Sequence, residues 1–82
     1  MLTMHERDVA RRAQEIYDQR LKAELELKHL NAYVAIEPDS VDYFIGSSIS
    51  EADDAAQKKH PGSLTYALRI GHDVVFHMGA AL

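Results

Sequence analysis

The 82-residue chain contains no cysteine, so neither a disulfide nor a thiolate metal site can staple it. It has only four glycines and two prolines, and none of them falls within residues 4–29, so nothing there breaks a helix. No apolar run approaches the roughly 18 residues of a membrane span, and the first ten residues lack a signal-peptide hydrophobic core. The expected compartment is therefore the cytoplasm, with no membrane partner. An excess of cations is missing too. Residues 1–30 balance six Lys/Arg against six Asp/Glu, whereas residues 31–82 carry three against seven, the whole net charge of −4. An acidic half repels phosphate backbones, which disfavours direct nucleic-acid binding.

What is present is ordinary for a globular protein: 46% hydrophobic and 27% charged residues. A chain this short buries only about 60–65% of its unfolded surface, so one domain over 1–82 is expected, with a narrow stability margin. Two units are legible in it, a helical arm over 1–30 and a sheet unit over 31–79.

The arm opens on Thr3-Met-His-Glu6, which has capping-box spacing. At 100° per residue, Val9, Ala10, Ala13, Ile16, Tyr17, Leu21, Ala23, Leu27 and Leu30 gather on one broad face. Asp8/Arg12, Arg11/Glu15, Asp18/Lys22 and Lys22/Glu26 sit at ion-pair spacing on the other side. Arg20 interrupts the apolar face with Glu24 one turn away, so either its stem snorkels or it pairs with a carboxylate, local or across an interface.

The hairpin over 31–46 alternates Ala32, Val34 and Ile36, turns at Pro-Asp-Ser, and returns through Tyr43, Phe44 and Ile45. Both of its faces are apolar, so it needs cover on two sides or a second molecule. Ser48-Ile-Ser-Glu51 is a second capping box, opening a short helix over about 49–59 that His60-Pro61-Gly62 stops. Its stripe of Ile49, Ala52 and Ala56 is small enough to lie close on a sheet. Residues 63–70 alternate again, Gly71-His72-Asp73 reads as a tight turn, and 74–78 as a last strand. The expected fold is α+β: a long N-terminal helix, then β-β-α-β-β, with a four-stranded antiparallel sheet in order 2-1-3-4.

The segments AQEIYDQRLKAELE, YVAIEPDS-x-DYFIG, LTYALRIGH and V-x-F-H-M-G resemble a family of short bacterial proteins with no established activity. The likeness spans about 13–79 and is most specific in the VAIEPDS hairpin and ALRIGH. It implies no catalytic residues. Glycine is expected after PDS, and this chain has Val41, which favours a wide loop over 38–42.

The remaining constellations are weak. His5, His29, His60, His72 and His77 lack metal-ligand spacing. Glu37, Asp39 and Asp42 flank the turn but lack the ligand density of a cation loop. Gly46-Ser-Ser-Ile-Ser50 opens a helix but is followed by Glu51, Asp53 and Asp54, which would repel an anion. No nucleophile motif marks a serine. No enzyme, cofactor or metal is expected. About 26 helical residues span roughly 39 Å against roughly 17 Å for a five-residue strand, so the helix either packs on its own sheet or meets another chain. The reading is a protein–protein interaction module, a homodimer or a subunit on a larger or co-encoded protein, with Val9, Ala13, Ile16, Arg20, Glu24 and Leu27 as the interface. The alternatives are an antitoxin-like neutralising or adaptor subunit of a two-gene module, and a small-ligand-binding protein or small hydrolase.

Overall fold

A computed structural model describes residues 3–72 in full and residues 76–79 by their backbone. Thr3 caps the first helix as its spacing predicts: its hydroxyl accepts from the Glu6 N–H, and the Glu6 carboxylate accepts from the Thr3 N–H. The helical segment has three parts, α1 (Met4–Ile16), a single π-helical stretch (Tyr17–Leu21) and α2 (Lys22–Lys28). The hairpin follows as β1 (Tyr33–Glu37) and β2 (Asp42–Gly46), then α3 (Ile49–Lys59), β3 (Thr65–Arg69) and β4 (Phe76–Gly79).

The interruption of the first helix has a cause in the sequence. Its buried residues are Val9, Ala13, Tyr17, Leu21 and Leu25, each four after the last. In a regular α-helix such a stripe drifts by about 40° per step and soon leaves the sheet. One wide turn, in which the Lys22 N–H donates to the Tyr17 carbonyl, brings the stripe back. Leu25 is thereby sealed and Leu27 is left 83% exposed.

The strands explain the rest of the packing. Val34, Ile36, Tyr66, Leu68 and Ile70 meet the helical segment on one face of the sheet. Ala35 and Ala67 meet Ala52 and Ala56 of α3 on the other, with Tyr33, Phe44 and Ile49 at the margin. Four alanines in contact let α3 lie close, and Gly46 extends that approach: a Cβ there would stand 2.5 Å from the Ala52 nitrogen. The Ser48 hydroxyl caps α3 by accepting from the Glu51 N–H, but the Glu51 side chain returns to Ser47 instead of completing the box.

The expected fold is corrected at its first helix. There is no single long helix, because the four-residue stripe forces the π turn. Of the two placements left open for the helical segment, it takes the one on its own sheet, on the face opposite α3. Of the four-stranded antiparallel sheet expected in order 2-1-3-4, three strands are described with their side chains. They run in order β2-β1-β3, all antiparallel, beside which the backbone of Phe76–Gly79 pairs with β3 from Thr65↔Gly79 to Leu68↔Phe76. Val74, where that last strand was expected to begin, lies outside the described residues, as do the side chains of 76–79. Among the described residues no helix is long and apolar enough to cross a membrane.

Candidate functional site

The closing pair Glu37↔Asp42 leaves residues 38–41 as the hairpin loop. The buried Glu37 carboxylate organises it, accepting from the Asp39 N–H at 2.9 Å and the Ser40 N–H at 3.0 Å. Val41 then closes the loop at φ 63°, a left-handed conformation that a β-branched residue adopts only under strain. Its side chain is 40% exposed, so no core packing compensates that strain.

Val41 and Pro38 form one wall of an open groove of about 320 Å³ whose other wall is helical: Arg12, Glu15, Ile16, Gln19 and Arg20. Gln19 and Arg20 belong to the π turn. An unusual backbone feature of the helical segment, the π turn, and one of the hairpin, Val41, therefore face the same groove. Such features persist where structure elsewhere holds them in place, and they concentrate at functional positions. The charges are unequal. Arg12 is held by Asp39 at 2.9 Å, and Glu15 by Arg11 at 3.0 Å. Among the described residues, Arg20 has neither an ion pair nor a hydrogen bond. The groove therefore offers one free guanidinium beside the apolar groups of Ile16 and Val41.

The other side of the loop carries a Ser/His/Asp cluster that sequence spacing did not reveal. His60 Nε2 lies 2.6 Å from Asp42 Oδ2 and 3.2 Å from Ser40 Oγ. Nucleophilic activation would need one ring nitrogen to accept from the serine while the other donates to the carboxylate. Here both contacts fall on Nε2. Its N–H donates to Asp42, and the serine hydroxyl is left to donate to the Glu37 carbonyl at 3.4 Å. The cluster is a pin. It ties the hairpin loop to the C-terminal end of α3, with Lys59 Nζ 3.4 Å from the same Asp42 oxygen. His60, then Lys59, hold the Asp42 carboxyl below the usual carboxylate range.

The six residues expected at an interface separate. Val9 and Ala13 are buried in the chain's own core, because they stand on the four-residue stripe that faces the sheet. Ile16 is half-buried at the groove wall and Arg20 is exposed beside it. Glu24 pairs with Lys28 at 2.9 Å, not with Arg20. Leu27 points into solvent. Asp8/Arg12 and Arg11/Glu15 do approach. Lys22 pairs with neither Asp18 nor Glu26; between Asp18 and Lys22 the π turn shifts the helix phase. The three turn carboxylates each have other partners: two backbone N–H groups for Glu37, Arg12 for Asp39, and His60 with Lys59 for Asp42. Among the described residues no group of three or more candidate ligands could hold a metal ion. Arg12, Gln19, Pro38 and Val41 were missed as site residues, although the departure from glycine at Val41 was a usable signal.

No family model, curated protein or solved structure matches the chain.

Proposed function

We propose that this domain is a non-enzymatic protein-interaction module of the cytoplasm, and that a partner protein docks along the outer ridge of the helical segment. The ridge runs through Ile16, Arg20, Glu24 and Leu27, none of which stands on the buried stripe. One observation carries the reading. A free guanidinium and the apolar groups of Ile16 and Val41 share a groove between the π turn and the strained hairpin loop, beyond which Leu27 is 83% exposed. An apolar anchor beside an arginine is the composition of a protein-binding hot spot. The groove is open and lacks the enclosed, convergent polar groups of a small-molecule site.

Copurification from the native host tests this, with the parent chain compared against Ile16→Asp and Arg20→Glu. The reading expects one protein, in near-stoichiometric amount, to accompany the parent and to be lost with both variants. The same proteins recovered with all three chains would refute it.

A further inference from the structure

The strand β2 forms an outer edge of the sheet. Proteins protect such edges with lysine, proline or a bulge, because unpaired N–H and C=O groups recruit other strands. No residue of β2 itself is a lysine or a proline, and no bulge interrupts it. Its register with β1 is unbroken over five residues, and Pro38 sits in the loop. The inner strands β1 and β3 are almost shut to solvent, whereas Tyr43 is 40% exposed and Phe44 and Ile45 are only half-buried. The one charge in the strand, Asp42, already has both His60 and Lys59, so the edge offers no free charge to repel a like surface.

We infer that β2 pairs antiparallel with β2 of a second copy of this chain, about a twofold axis at Phe44. The sequence is self-complementary in that register. Tyr43 would oppose Ile45 of the copy on the face of the helical segment, because Tyr43 pairs with Ile36 and Ile45 with Val34 there. Phe44 would oppose Phe44 on the α3 face, where it already packs. Asp42 would oppose Gly46, so no like charges meet. Antiparallel pairing about a twofold is closed and stops at two copies. This inference is independent of the docking ridge and stands whether or not that ridge binds a partner.

Light scattering at tens of micromolar reads it directly. The parent should show twice the 9.2 kDa chain mass. Tyr43→Lys, an exposed change that places a charge on each side of the join, should weaken association at least tenfold while Ile16→Asp leaves it unchanged. As the chain has no cysteine, Phe44→Cys supplies a second reading: mild oxidation should give a covalent dimer with the parent's circular dichroism. A monomer mass for the parent overturns the proposal. So does a dimer that Ile16→Asp dissociates and Tyr43→Lys does not.

Discussion

The Lys22 N–H donates to the Tyr17 carbonyl, five residues back, and this bond sets which side chains the helical segment buries on either side of it. Upstream, Val9 and Ala13 face the sheet; downstream, Leu25 does, and Arg20 within the turn is directed toward the loop groove. A regular helix would instead have carried Leu27 inward.

Deleting Gln19 should therefore be tolerated. The buried stripe would then be spaced 4-4-3-4, which a regular α-helix keeps on one face. Stability should change by no more than about 1 kcal/mol, read by urea denaturation followed by circular dichroism. A loss above about 2 kcal/mol would show that the wide turn is not an inserted residue. The deletion should also remove Arg20 from the groove.

The same phase is tested by truncation. Leu25→Ala should cost about 2–5 kcal/mol, and Ile36→Ala, fully buried in the same core, a similar amount. Leu27→Ala should be close to neutral. Equal losses for Leu25→Ala and Leu27→Ala would contradict the shift.

Val41→Gly should stabilise the hairpin. Relieving a left-handed conformation is worth about 1–2 kcal/mol, from which the added freedom of glycine in the unfolded chain subtracts about 0.5–1 kcal/mol. A net gain near 0.5–1 kcal/mol is expected in the denaturation midpoint, together with weaker partner capture, because one apolar wall of the groove is removed.

The pin between Asp42 and His60 makes a pH prediction. The Asp42 carboxyl has a depressed pKa in the folded chain, so its contribution is fully present above the ordinary carboxylate value of about 4. It is lost as pH falls through the folded value. Asp42→Asn should lower stability at pH 6 and flatten its decline between pH 5 and pH 2. An unchanged acid profile would show that the pin contributes nothing. Glu37→Gln tests the loop by other means: its amide nitrogen would face a backbone N–H, and about 1–3 kcal/mol should be lost at neutral pH.

Much of this arrangement was legible in the residues. Thr3 and Glu6 announced the first cap, His60-Pro61-Gly62 the end of α3, and the small stripe of Ala52 and Ala56 its close seat on the sheet. The π turn was missed because projection at 100° per residue presumes a regular helix and forced Ile16, Leu27 and Arg20 onto the apolar face. The strict fourfold spacing from Val9 to Leu25 was the sign that no such helix could serve. Covering both sheet faces with separate helices follows from the two apolar faces of β1, yet their pattern does not say which helix takes which. The groove joins positions as distant as Arg12 and Val41, and the pin joins Ser40 to His60, so neither has a local signature.

The ridge is tested most directly where it is most exposed. A photocrosslinking residue at Leu27, introduced as Leu27→p-benzoylphenylalanine in the full chain and irradiated in cells, should capture one discrete protein. That capture should fall at least tenfold when Arg20→Glu is added. The same residue at exposed Lys58 on α3 should not capture that protein. Capture at position 58 equal to that at 27, or no defined product from 27, would contradict a partner on the helical ridge.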